Sequence, residues 1–441
     1  MQARIGIIGS GFAAAALLLH LHKQGQALSD VLVIGDGALG RGQAYGAATD
    51  CFRLNVRANL QRLWADDPNH FEDWAAHHID DPDGSSPVGH FYRRHDFAAY
   101  LQAQLAAMSD GRAIRHLRAR ATAIGKEGHG WRVHCAGYDA VMVDKIVLAT
   151  GNPEPEWPVP DVPCDPHLVK SPWNGAWVPQ VPMDARVVII GAGLTAMDAV
   201  HVLDQQGHCG TVTLIAPHGM LPPVQTGWQP RAGYEWPIKT DSAAAFLREM
   251  RRHLGAGSWH DQAWQERFEQ LRVGINEVWM RLSARDRAKL LRRVGWLWSL
   301  LRFRAGPQAV QSAGWLLASG RMTIQTGRLS SISATDEGWR CDVRAARGTE
   351  PTSIMADYVI NCTGMGRDEL LDQMLQAHLV ARSGVANAPL IAPDLRLAAP
   401  DGTPHDNLFM IGPGTGHDLG DVVGSASIAR QAAAVTTQLV D

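Results

Sequence analysis

Apolar positions along the chain recur in one arrangement: a short β-branched run, a glycine-rich turn, then an alanine- and leucine-rich stretch of helical character. "IGIIGSGFAAAALLL", Ile5 to Leu19, is the first instance, and "VVIIGAGLTAMDAV", Val187 to Val200, repeats it deep inside the chain. Each predicts a strand, a turn and a helix. Further strands are predicted at Val31 to Ile34, in "DKIVLATG", in "ADYVINCTG" and in "NLFMIGPG", the last leading into a closing alanine-rich helix. In between, the period changes. Trp264, Phe268, Leu271, Ile275, Trp279 and Leu282 step by fours and threes, which predicts one face of a helix. Ser283 with Asp286 reads as a capping box opening a second helix that carries Leu290, Val294, Leu297, Trp298 and Leu301. Eight of the 15 tryptophans fall between Trp228 and Trp315, so this stretch reads as a tryptophan-lined helical insertion whose rings serve chiefly as core.

The pattern predicts an α/β fold: two Rossmann-like dinucleotide-binding domains with a helical insertion in the second. The strand ending at Ala149 runs into Thr150, Gly151 and a proline-rich stretch that must leave regular structure. Thr363 and Gly364 stand in the same relation to a later strand. Both read as domain crossings, so the first domain is expected to be discontinuous, residues 1–165 plus 355–441. The second is expected at 183–354, with the insertion at about 220–320.

Composition narrows the picture. At 441 residues, 46% hydrophobic and 19% charged, the chain can bury two or three cores. A net charge of −3 makes no general case for nucleic acid or an anionic membrane as partner. The six cysteines include no CxxC pair, so reduced structural thiols are expected and a zinc knuckle or dithiol centre is not. His20 and His22 sit two apart on a predicted helix and point different ways, so no metal site is supported. The apolar N-terminal run could be taken for a secretory signal. Glycines at 6, 9 and 11 interrupt it, and no segment reaches the ~18 apolar residues a membrane span needs. A cytoplasmic protein without a membrane partner is the expectation.

Both turns read GxGxxA. Gly9 and Gly191 make the tight turn, Gly11 and Gly193 let backbone approach a pyrophosphate, and Ala14 and Ala196 replace the glycine at which helix packs on strand. Ser10 and Thr195 lie within these turns. Asp36, beyond the second strand, is placed to accept from ribose hydroxyls. It lies 25 residues after Gly11 rather than about 20, and an ordinary turn aspartate remains the alternative. Thr150, Gly151, Thr363, Gly364 and Gly412 complete the candidate cofactor-binding set.

The segments "GSGFAAA", "GQAYGAATDCFRLNV", "FYRRHDFAAYL", "LATGNPEP", "GAGLTAMD", "INEVWMRLSARDRAKLLRRVGWLWSLLRFRAGP" and "IGPGTG" span nearly the whole chain. Together they resemble the two-dinucleotide-binding-domain flavoproteins and, within them, the bacterial FAD-NAD(P)-binding family known as YdhS-like. The resemblance implies FAD on the first turn, with Asp36 at the adenosine ribose and Gly40, Tyr45 and Asn55 lining the flavin region. It implies NAD(P)H on the second turn. "RFRAGP" departs from the more usual RHR-like form, with Phe303 at the central position, so no histidine role is carried over there.

No Asp or Glu follows Leu214 and Ile215, where a carboxylate would select NAD by repelling a 2′-phosphate. NADPH is therefore expected. His218, or Arg292 and Arg293 of the insertion, would be its basic partner, the alternative for those arginines being a solvated helix face. The resemblance extends to N-hydroxylating and Baeyer–Villiger monooxygenases, in which NADPH reduces FAD and O₂ is then activated. "HLVKSPW", His167 to Trp173, misses the Baeyer–Villiger fingerprint by two residues and reads as a linker packed by Trp173. His417 and Asp418 are the candidate acid–base pair, a solvated loop pair being the alternative. The leading expectation is an FAD-dependent, NADPH-oxidising monooxygenase of a small amine-bearing or acidic metabolite. A reductase or electron-transfer flavoprotein that leaves O₂ alone, and a non-catalytic flavin-binding sensor, are the alternatives.

Overall fold

In the computed structural model, which describes residues 2–46, 49–108, 114–345 and 350–440, the two strand–turn–helix patterns seed two separate sheets. Gln2–Ile8 lies inside the first, paired parallel with Val31–Ile34 on one side and Tyr138–Leu148 on the other. Pro404–Met410 extends the parallel set beyond Tyr138–Leu148. Val31–Ile34 is buried along its length, which explains its unbroken apolar run: a parallel strand covered on both faces has no polar side to alternate with. Helix Phe12–Lys23 is buried from Phe12 to Leu19, packed against helices Ser425–Val440 and Arg94–Met108.

The second sheet repeats the plan. Val187–Ile190 pairs parallel with Val212–Ala216 and with Tyr358–Asn361, and Met322–Thr335 continues the set beyond Val212–Ala216. Each sheet also carries an antiparallel three-stranded extension. In the first it is Ala121–Glu127, Gly130–Cys135 and Tyr138–Leu148; in the second, Met322–Thr335, Gly338–Ala345 and Thr352–Ala356. The expected α/β fold with two Rossmann-like domains is the observed one.

Three boundaries move. Tyr358–Asn361 and Leu168–Val169 both pair within the second sheet, so the second domain reaches outward beyond the expected limits of 183 and 354. A strand too short to show its pairing partner in sequence cannot be assigned to one of two similar sheets. Helix Pro307–Ala318 packs on Leu194–Gln205 and leads back into the second sheet, so the insertion ends before the expected 320. Its body is the set of helices Ala243–Leu254, Gln262–Arg272, Ile275–Arg281 and Ala284–Arg302. The predicted helical face from Trp264 to Leu282 is two helices, not one, because Gly274 takes the left-handed conformation at φ 76° and turns the chain. Trp264, Phe268 and Leu271 then pack with Leu254 and Leu301, whereas Ile275, Trp279 and Leu282 pack with Phe246 and Leu290. The Ser283 cap is present, its hydroxyl accepting from the Asp286 N–H at 3.1 Å.

The two crossings between domains lie side by side. Asn361 Nδ2 donates to the Glu156 carbonyl at 3.0 Å, and the Gly366 N–H donates to the Glu154 carbonyl at 3.1 Å.

Candidate functional site

The two glycine turns have one geometry. The Gly9 N–H donates to the Ile34 carbonyl at 2.7 Å and the Gly191 N–H to the Ile215 carbonyl at 2.8 Å. Their φ values are 116° and 118°, and a Cβ would lie 2.2 Å from the Ala149 carbonyl oxygen in the first and 2.4 Å from that of Cys362 in the second. Gly11 and Gly193 are the N-caps of the following helices, and no side chain caps either one. Helix N-termini left in that state are ready anion sites. Ala14 and Ala196 are fully buried where helix meets sheet. A side chain added at Gly193 would meet nothing within 4 Å, so the space over the second turn is open. Over the first turn, Gly42 comes so close that a Cβ on it would sit 2.9 Å from Gly11 Cα, and the Gly40 N–H donates to the Ser10 carbonyl at 2.8 Å.

Around the first turn, Asp36 is exposed at the end of its strand. Tyr45 packs against Phe12 and Phe97, with ring centroids 6.1 and 4.8 Å away, and burial pushes its phenol up to about 12. Ala47 and Ala48 of the same motif lie outside the described residues. Around the second, Trp173 Nε1 donates to Thr195 Oγ1 at 3.5 Å, so the linker tryptophan packs on the turn itself. His218 is stacked on Trp296 with centroids 3.8 Å apart. Trp296 belongs to helix Ala284–Arg302, and Arg292 and Arg293 stand four and three residues before it, on the same side. His218 thus packs on the helix that carries the two arginines.

A family model described as FAD-NAD(P)-binding matches residues 6–153, and a search of curated proteins finds no match. Solved structures match over the whole chain. The ornithine N-hydroxylase of Kutzneria sp. 744, solved with reduced FAD, NADP+ and L-ornithine, superposes with a TM-score of 0.67 at 14% identity, covering 100% of this chain and 99% of that one. The desferrioxamine-pathway cadaverine monooxygenase of Erwinia amylovora, bound to FAD, gives 0.70 at 12%, covering 100% and 94%. The bacillithiol disulfide reductase of Bacillus cereus gives 0.58 at 16%, covering 100% and 99%. The chain has the two-dinucleotide-binding-domain flavoprotein fold.

Other candidate residues are engaged in structure. Thr150 Oγ1 donates to Asp368 Oδ2 at 2.8 Å, and Thr363 Oγ1 donates to Asn361 Oδ1 at 2.7 Å. Gly151 and Gly364 take positive φ, 71° and 105°, at the crossings. The Gly412 N–H is taken by Gln431 Oε1 at 2.8 Å.

His417 and Asp418 are in contact, His417 Nε2 lying 3.2 Å from Asp418 Oδ2, and both are tied into the surrounding structure. His417 Nε2 lies 3.0 Å from the Pro389 carbonyl, and Asp418 is 3% exposed. The Asp418 carboxylate accepts from Ser383 Oγ at 3.0 Å and from the Ile391 N–H at 3.1 Å. Burial opposes ionisation, but the hydrogen bonds from His417, Ile391 and Ser383 outweigh it and hold Asp418 below its ordinary value. The pair pins the insertion to the first domain: Trp279 Nε1 donates to the His417 carbonyl at 3.1 Å and Arg287 to that of Asp418 at 2.8 Å.

A cavity of about 260 Å³ opens where three parts of the molecule meet. The first domain supplies Asn55 and the start of helix Ser425–Val440; the second turn supplies Leu194; the insertion side supplies Trp228, Glu269 and the Arg302–Arg304 segment. Helix Ala284–Arg302 ends at Phe303, which leaves the helical conformation. That exit lets Arg302, Phe303 and Arg304 all line the cavity. Burial lowers Arg304 to about 10, still cationic at neutral pH. In "RFR" the signal for this wall is the pair of arginines rather than the missing histidine.

Asn55 both lines the cavity and hydrogen-bonds the Asp198 carboxylate. Asp198 closes "GLTAMD" and is ion-paired with Arg94 of "FYRRHDF". Burial raises its carboxyl, with Arg94 and Asn55 opposing. Two of the motifs behind the family resemblance thus clamp the domains together beside the cavity.

Proposed function

We propose that this chain is an FAD-dependent, NADPH-oxidising monooxygenase of a small metabolite. The observation that carries the reading is convergence: two turns of one geometry lie on separate sheets, and Asn55 of the first domain, Leu194 beside the second turn and the insertion side meet at a single cavity. The residues fit FAD on the first turn. The uncapped N-terminus at Gly11 would receive the pyrophosphate, and exposed Asp36 would accept from ribose hydroxyls. The open N-terminus at Gly193 would hold the nicotinamide dinucleotide. His218, stacked on the helix that carries Arg292 and Arg293, would take a 2′-phosphate, since no Asp or Glu directly follows Ile215 to repel one. When bound, FAD supplies a hydride acceptor that, once reduced, reacts with O₂.

The chain's own part is placement and exclusion of water. Asp421 joins the insertion to the first domain through Arg272 at 2.6 Å and Arg302 at 3.0 Å, holding the roof over the cavity. The relatives solved with L-ornithine bound, or named for cadaverine, support a small-molecule substrate. Likeness to a bacillithiol disulfide reductase favours a second reading, reduction without oxygen activation. Dithiol chemistry lacks its usual motif: the six cysteines include no CxxC pair, and burial pushes Cys362 up and Cys341 up to about 12, away from the reactive thiolate. A metabolite screen for NADPH consumption, with hydrogen peroxide measured alongside, tests the proposal. A monooxygenase should couple NADPH use to a product heavier by one oxygen atom. Substrate-independent NADPH oxidation with no oxygenated product would favour the reductase.

A further inference from the structure

We propose that the cavity beneath the insertion binds a small metabolite carrying at least two anionic groups, carboxylate or phosphate. This rests on the reading of that cavity as the substrate site and names the class of substrate it takes.

Six arginines line it: Arg62, Arg231, Arg272, Arg302, Arg304 and Arg430. Three carboxylates pair with them. Glu269 contacts Arg272 and, at 2.7 Å, Arg304; Asp421 contacts Arg272 and Arg302; Glu266 contacts Arg231 at 3.3 Å. Among the described residues no carboxylate pairs with Arg62 or Arg430. The wall therefore holds three more positive charges than negative ones. Arg302 and Arg430 are lowered by burial and then by neighbouring arginines, so the cations repel one another across a partly dehydrated space. An anion entering that space relieves the repulsion, and an excess of three favours more than one negative charge.

The hydrogen-bonding inventory marks the same wall as a ligand site, three of its four unpartnered groups being donors. Arg304 is 5% exposed and spends one terminal nitrogen on Glu269, while its Nε and other terminal nitrogen have no partner. Gln225 Oε1 and Trp228 Nε1, also buried on the cavity wall, lack partners as well. Buried polar groups are nearly always satisfied, so several orphans in one wall mark a place that a ligand completes. The volume, about 260 Å³, falls just below the ~300–1,000 Å³ of drug-sized sites and limits the ligand to a small metabolite. The same wall repels a cationic diamine. It also disfavours protonation of any amine held beside it, keeping nitrogen in the nucleophilic form that N-oxygenation requires.

The test is calorimetry and thermal denaturation of the flavin-loaded protein, without NADPH. Citrate, 2-oxoglutarate and 3-phosphoglycerate serve as anionic probes, and L-ornithine and cadaverine as comparators. At least one anion should bind and raise the melting temperature, the diamine should not, and Arg62→Gln/Arg430→Gln should weaken the anion at least tenfold. Because neither arginine holds an ion pair and both add to the repulsion, the double variant should keep its flavin, and its ligand-free melting temperature should not fall. Absence of anion binding, equal binding by the double variant, tighter binding of ornithine, or binding only after flavin is stripped would each overturn the proposal; the last would assign the arginines to the flavin. An anion-binding protein that never oxidises NADPH refutes the monooxygenase reading and leaves this site standing.

Discussion

Gly191 and Gly193 stand two residues apart in one turn, yet their substitutions should fail differently. Gly191 sits at φ 118° with the Cys362 carbonyl in the way of a Cβ, so Gly191→Ala should lower folding stability by roughly 2 kcal/mol, visible in a denaturant titration. Gly193 is extended, and a Cβ there meets nothing. Gly193→Val should fold as the parent does and lose at least tenfold in NADPH affinity, about 1.4 kcal/mol, measured by anaerobic titration. The sequence displayed both glycines but not this division of labour, because φ and the opposing carbonyl belong to the fold. His201 offers a second test at this scale. Burial first, then Arg53, lowers its pKa to about 4, and its Nδ1 lies 2.9 Å from Ser312 Oγ. Between pH 6.5 and about 4 the unfolded chain holds a proton there that the folded chain does not. Stability should therefore fall as pH drops through this window, by roughly 3 kcal/mol from this group. His201→Gln should flatten that part of the stability–pH curve; an unchanged slope would contradict the assignment.

Helix Leu194–Gln205 shows how elements carry the site. Its N-terminus forms the second turn, and one turn later Asp198 reaches back to Arg94 on helix Arg94–Met108 of the first domain. Both side chains are largely buried, so Arg94→Leu should strand a charge and cost about 3 kcal/mol. Replacing both partners with leucine should recover most of that loss, a coupling that a double-mutant cycle in urea would read. Periodicity exposed this helix at once, since its apolar face and its glycines are local features. It could not expose the clamp, which joins residues 104 apart. The same limit explains the insertion. The Ser283 cap was legible because it is local, whereas the break at Gly274 was hidden by an apolar period that runs straight through it. Chain order alone places His417 and Asp418 near the flavin, and their bonds to Pro389, Ser383 and Ile391 cannot be read from order.

At the scale of the molecule, the sequence announced duplication through two GxGxxA turns, and around each turn-bearing strand the two sheets share a parallel core while their antiparallel extensions hang from opposite sides. The cavity was not announced, because its wall is assembled from six stretches far apart in the chain, each ordinary by itself. The central claim is that the two turns hold different nucleotides and that hydride passes from the second to the flavin on the first. Anaerobic titration of the yellow parent and Gly193→Val with NADPH, followed by flavin absorbance, tests it most directly. The parent should bleach stoichiometrically, and the variant should stay yellow at the same NADPH concentration while dithionite still reduces it. Bleaching of Gly193→Val by NADPH at the parent's concentration would contradict the account.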